Sequence, residues 1–231
     1  YSELYDNNSS LIIRVENRNH KMKTDYKITR DKFMDDKERD KLLKFCREKA
    51  ELDLMKGRIT WTVRYMLVNL ALYSGLRVSE IAKLKVQDLN LDKVDDPYLY
   101  VKNGKRGKSR DVYLDNEIVK ELRKFISYKK KTLKDSIEPE APLFAGRGGN
   151  HSTTTTLQIS FKKAIEESGL NPHYSIHSAR HTYGTHLYHT TQNLRYVQKQ
   201  LGHSNITMTS LYADVMPSEN GRLANMIRKV G

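Results

Sequence analysis

Histidine, arginine and tyrosine crowd the stretch from His177 to Tyr212. It reads H-S-A-R-H-T-Y-G-T-H at 177–186, L-G-H at 201–203, and ends on a tyrosine at 212. Six of the eight histidines fall between 173 and 203, and no carboxylate stands between Glu167 and Asp214 in a chain that has 28 Asp and Glu. Carboxylates beside a bound polyanion would repel it, so the gap marks a surface built to hold negative charge. A phenol with an unperturbed pKa of about 10 is a poor nucleophile at neutral pH. Phosphoryl transfer to it needs help. Arginine forks clamp the non-bridging oxygens, and histidines donate to those oxygens or accept the phenolic proton. The product is a covalent phosphotyrosine ester. His177 and His181, four apart, are also spaced like zinc ligands on a helix. The glutamate of H-E-x-x-H is missing, however, and Arg180 between them opposes a cation, so no metal site is expected.

These blocks, together with S-G-L-R-V-S-E at 74–80, resemble the tyrosine recombinase (phage integrase, Xer-like) family over roughly residues 33–216. That family's order is Arg, Lys, H-x-x-R, a later His, then Tyr. The resemblance implies strand breakage and rejoining through a 3′-phosphotyrosyl link. Arg77 and Arg180 would clamp the scissile phosphate and His203 donate to it. His177 would assist the tyrosine proton or the phosphate, and Tyr212 would attack. Glu80 and His181 are expected to support them. The family's lysine, which protonates the leaving 5′ oxygen, sits on a hairpin; matching G-K-x-x-K-x-R puts it at Lys105, with Lys108 second. Lys102, Arg106, Lys108, Arg110, Arg147, Ser152 and Thr153 are candidate DNA contacts. The resemblance further implies double-stranded DNA as partner, a homotetramer on two DNA sites (a monomer without DNA being compatible), and no cofactor. Its settings would be integration or excision of a mobile element, or chromosome or plasmid dimer resolution. The rival readings are a non-catalytic DNA-binding module that keeps the fold and a topoisomerase of the same catalytic class.

What must position these residues is mostly helical. Ser175 or Ser178 can cap a helix that runs to about Tyr188. Leu194, Val197 and Leu201 mark the buried stripe of the next, which Gly202 stops. Asn205 can cap a third, with Met208, Leu211 and Val215 inward and Tyr212 on it. Earlier, residues 35–53 read as an amphipathic helix with Leu42, Leu43, Cys46, Ala50 and Leu54 near one face. A more apolar helix runs from about Thr60 to Tyr73 and breaks at Gly75. Arg77 follows the break, and Ser79 is the expected cap of a helix over 79–86. The period changes at 98–101 and 111–114, which read as two strands joined by N-G-K-R-G-K-S-R. Helices are expected at 116–131, behind Asp115, and at 153–168. Between them lies a loop anchored by Leu143-Phe144. The expected fold is mainly α with a small antiparallel β-sheet, an α+β catalytic domain.

Composition agrees with an anionic partner. The formal charge is +13 and the sequence pI about 9.6, a balance that suits nucleic acid. Cys46 is the single cysteine, so an internal disulfide is excluded, in keeping with a reducing, cytoplasmic setting. No apolar run reaches the roughly 20 residues a membrane span needs. Residues 1–32 read as an extension or linker, 33–216 as the catalytic domain, and 217–231 as a tail. The tail's Leu223, Met226, Ile227 and Val230 make it too short to be stable alone, so it is expected to dock, on a neighbouring protomer if the resemblance holds. Family members usually carry an N-terminal helical domain that closes a clamp round DNA, and 32 residues leave no room for it. A start at Tyr1 reads as a fragment or a processed product.

Overall fold

The computed structural model describes residues 28–93, 95–102, 109–133 and 136–213. Helix α1 (Asp36–Met55) starts where Asp35 accepts from the Glu38 amide while the Glu38 carboxylate accepts from the Asp35 amide. That reciprocal cap satisfies two of the donors a helix start leaves free. Leu42, Cys46 and Ala50 turn inward, whereas Leu54 is exposed. Helix α2 (Thr60–Ser74) is buried almost all round and stops at Gly75, whose φ of 60° is the left-handed conformation of a helix end. The short α3 (Val78–Lys83) follows. Its start differs from the expected one: Arg77 occupies the cap, and the Glu80 carboxylate accepts from the Arg77 amide at 2.7 Å, so Ser79 already lies inside the helix.

The two expected strands are present as β2 (Tyr98–Val101) and β3 (Arg110–Tyr113), antiparallel with Val101 opposite Arg110. A third, β1 (Leu89–Asn90), pairs with the far side of β2, giving the order β1-β2-β3. Two residues are too few to show a period in the sequence. Leu99, Val101 and Val112 seal the sheet against the core. Helix α4 (Asn116–Tyr128) is capped by Asp115, which accepts from two amides, and then loosens into a π-helical turn over Lys129–Leu133. Leu143 and Phe144 are buried and pin the loop that follows. Helix α5 (Thr154–Glu167) is capped by the Thr153 hydroxyl, which accepts from the Thr156 amide.

Helix α6 (Ile176–Thr191) begins at Ser175 and outruns its expected end by three residues. Helix α7 (Leu194–Leu201) ends at Gly202, with φ 65°. The last helix, α8 (Thr207–Ser210), is one turn long, with Asn205 accepting from the Thr207 amide. Met208 is exposed there, against expectation, and Tyr212 lies on the turn after α8.

Most buried side chains form one core among α1, α2, α4, α5 and the sheet. A second, smaller core joins Ile28, Phe33, Val197, Leu201 and Tyr212, flanked by Tyr183 and Leu187 of α6. The packed structure therefore reaches back to Ile28, inside the stretch read as linker. The site lies where α6 divides these two cores. Among the described residues, no helix is long and apolar enough to cross a membrane.

Candidate active site

Arg180 is the deepest cation of the site, 7% exposed. Its guanidinium donates to the carbonyls of Gly75 and Leu201, the latter at 2.7 Å. These are the C-terminal ends of α2 and α7, where helices leave carbonyls without amide partners and carry partial negative charge. The chain thus spends two helix ends on one buried charge. Burial, followed by the nearby Arg77, lowers the Arg180 pKa to about 10, which leaves it protonated at neutral pH. Arg77, at the break between α2 and α3, is less buried. It donates to Glu80 at 3.0 Å and points a second nitrogen at the Gly202 carbonyl at 3.5 Å.

Glu80 is the carboxylate on which the arginines converge. Burial alone would raise its pKa, but hydrogen bonds and charge from Arg110, with the Arg77 amide, hold it at about 2. Arg110 donates to both its oxygens, at 2.8 and 3.0 Å, and to the Gln200 carbonyl at 3.0 Å. Arg110 was expected to touch DNA. Its guanidinium instead turns inward, because a buried carboxylate and an unpaired helix-end carbonyl offer it better partners than solvent.

His203 follows Gly202 on the turn. Its Nδ1 lies 3.0 Å from the Thr209 hydroxyl, and its ring is parallel to that of Tyr212, 6.2 Å away. Burial and then the charges of Arg180, Arg77 and Arg110 press its pKa down to about 3. His181, one position past Arg180, brings Nδ1 to 3.4 Å from the Tyr212 hydroxyl. Burial, then Arg180 and His177, lower its pKa to about 4. Both imidazoles are therefore neutral at physiological pH, the form in which one ring nitrogen donates and the other accepts. His177 is exposed and lines the mouth of the cleft.

Tyr212 is 1% exposed, and its ring packs closely against α6 at Gly184. A Cβ built on Gly184 would fall 2.6 Å from Tyr212 Cζ, inside any tolerable contact. Sequence reasoning passed over Gly184, and a signal was available. A glycine inside a helix costs about 1 kcal/mol against alanine, which asks for a close approach to explain it. Thr209, buried and bonded to His203, carried no such signal.

Arg77, His177, Arg180, His181, His203 and Tyr212 line one cleft of about 350 Å³. A second groove, of about 560 Å³, shares Arg77 and runs past Lys83, Lys85 and Lys102 to His151. Lys102 is half exposed and pairs with Asp88 at 3.5 Å. Arg147 is exposed, Ser152 is buried, and the Thr153 hydroxyl is committed to its cap. Lys105, Arg106 and Lys108, and the tail 217–231, lie outside the described residues. Among those described, no three His, Cys, Asp or Glu side chains gather to hold a metal ion.

Residues 32–219 match the Phage integrase family. A tyrosine recombinase of Pseudothermotoga lettingae is 31% identical over 167 residues, which is 72% of this chain and 54% of that protein. Tyrosine recombinase XerA of Pyrococcus horikoshii is 32% identical over 157 residues, 66% of this chain and 51% of that one. The chain thus spans about half the length of the curated relatives it matches. Among solved structures, XerA recombinase aligns with a TM-score of 0.67 at 23% identity, over 85% of this chain and 65% of that one. A Tn1549 transposon integrase in complex with transposon right end DNA gives 0.65 at 21%, over 90% and 67%. These structures share the mainly helical fold with its small antiparallel sheet.

Proposed function

Because this chain belongs to the phage integrase family of tyrosine recombinases, we propose that it breaks and rejoins double-stranded DNA with Tyr212 as nucleophile. The observation that carries this reading is the seating of Tyr212 in one cleft with Arg77, Arg180 and His203 of the same chain. The phenolic oxygen attacks the scissile phosphorus, and the bond from phosphorus to the 5′ oxygen breaks. A 3′-phosphotyrosyl ester forms and a 5′-hydroxyl leaves. His181, 3.4 Å from the phenol, is the nearer acceptor for its proton, with His177 at the cleft mouth. We assign protonation of the leaving oxygen to Lys105.

Arg77 and Arg180 meet the negative charge that grows on the non-bridging oxygens as the phosphorus becomes five-coordinate. His203 Nδ1 and the Thr209 hydroxyl lie 3.0 Å apart; we assign Thr209 as the donor, which leaves the proton of neutral His203 on Nε2 to be offered to the phosphate. A 5′-hydroxyl from another strand then reverses the step. Bond energy stays in the ester, so the scheme consumes no nucleotide and asks for no cofactor.

The reading includes a homotetramer on two DNA sites, a cytoplasmic setting, and integration or excision of a mobile element. Dimer resolution of a chromosome or plasmid uses the same steps; sequencing the DNA trapped on the protein in cells separates the two. The chemistry itself is tested with a nicked duplex whose cleaved flank diffuses away and leaves the ester trapped. The wild type is expected to form a covalent adduct and Tyr212→Phe none. An adduct that survives Tyr212→Phe removes Tyr212 from its role.

A further inference from the structure

Arg110 has no part in the scheme above, yet its guanidinium sits at the centre of the cluster, its side chain 12% exposed. It reaches two elements at once. On one side it meets both oxygens of Glu80; on the other its Nε donates to the Gln200 carbonyl, at the end of α7 that leads into His203. The fit is close enough to constrain the backbone. A Cβ on Gly202 would fall 2.8 Å from both Nε and Nη1 of Arg110.

The arithmetic of charge gives this contact its meaning. Glu80 accepts two hydrogen bonds from Arg110, one from the Arg77 side chain and one from the Arg77 amide. Arg180 lies 4.0 Å from the same carboxylate. Left with only Arg77 and Arg180, a buried carboxylate would draw both guanidinium groups to itself, and the phosphate would have to compete for them. Arg110 takes both oxygens of Glu80, so that Arg77 gives the carboxylate a single side-chain nitrogen and Arg180 stays 4.0 Å away, which lessens the competition the phosphate meets.

We propose that Arg110 is a positioning residue. It anchors Glu80 and the Gln200–His203 turn together, so that Arg77, Arg180 and His203 present one fixed, net positive face to the scissile phosphate. The proposal rests on the recombinase reading for its substrate.

The test compares Arg110→Met and Arg110→Lys with the wild type on the nicked duplex. A second duplex replaces one non-bridging oxygen of the scissile phosphate with a methyl group, which removes its charge. Adduct formation by Arg110→Met is expected to fall about 10²-fold on the ordinary phosphate. Affinity for DNA and its salt slope are expected to hold, and Arg110→Lys to recover part of the rate. On the uncharged phosphate, which asks less of the clamp, the deficit should shrink below about tenfold. Wild-type cleavage by Arg110→Met, or an equal loss on both duplexes, overturns the proposal. So does weakened binding with a salt slope reduced by about one, which would make Arg110 a phosphate contact.

A readout independent of cleavage is the His203 titration followed by NMR in the folded proteins. It is expected to move up in Arg110→Met, and an unmoved His203 also overturns the proposal. If the wild type makes no adduct, the recombinase reading has failed, and the titration decides the role of Arg110 by itself.

Discussion

At the scale of residues, Tyr212 and Gly184 form a matched pair. The ring occupies the space a side chain on α6 would take. Gly184→Ala is therefore expected to displace the phenol from His181 and His203 and to lower adduct formation at least about tenfold. DNA binding should be retained, since neither residue faces out. Adduct yield equal to the wild type, measured on the nicked duplex, would show that the docked ring is not the reactive one.

The two histidines beside the phenol make a second prediction. Their pKa values in the fold, about 4 for His181 and about 3 for His203, lie below the ordinary 6.5. The unfolded chain binds those protons first. The stability they contribute is complete above pH 6.5 and drains as pH falls toward 3. Glu80, held at about 2 against an ordinary 4.5, adds to the loss below pH 4.5. The melting temperature should thus fall with acid from pH 6.5 downward, and His203→Gln should flatten that fall between pH 6.5 and 4. A slope unchanged in His203→Gln would mean that His203 titrates normally.

At the scale of elements, the site is an arrangement of helix ends. The C-terminal ends of α2 and α7 hold Arg180, the α2–α3 break presents Arg77, and the α7 end presents His203. Gly75 makes the first of these junctions. It takes φ 60°, and a Cβ there would run into the Tyr183 ring. Gly75→Ala is expected to destabilise the protein by about 1–3 kcal/mol, seen as a lower urea midpoint. A midpoint unchanged within error would contradict that packing.

This is also the level at which the sequence was most legible. Gly75 and Gly202 announce two stops, Asp115 a start, and the change of period at 98–101 a strand. What it hid were features with no period or composition of their own. A two-residue β1 carries no pattern. Nor does anything local show that Tyr212 would be buried in the second core, which is tertiary packing. Arg110 reads like the other cations of a basic hairpin sequence, because nothing local shows that Glu80, thirty positions earlier, would claim it.

At the scale of the whole molecule, a net charge of +13 meets a site whose buried carboxylate, Glu80, is already paired. The groove that shares Arg77 continues the positive surface along Lys83, Lys85 and Lys102. DNA affinity should therefore fall steeply with salt. Replacing the exposed Lys83 by Gln should weaken binding to all sequences alike and reduce the log–log salt slope by about one. An unchanged slope in a titration by fluorescence anisotropy would take Lys83 off the path of the DNA.

The smaller core has a consequence for any assembly of copies. It seats the phenol of Tyr212 beside a cleft that Arg77 and Arg180 of the same polypeptide also line. On the proposed mechanism, two altered copies, one Tyr212→Phe and the other Arg180→Ala, are therefore expected to have nothing to lend each other. A mixture of the two on the nicked duplex is expected to form no more adduct than either alone, and adduct restored by mixing would show that the phenol is supplied across protomers.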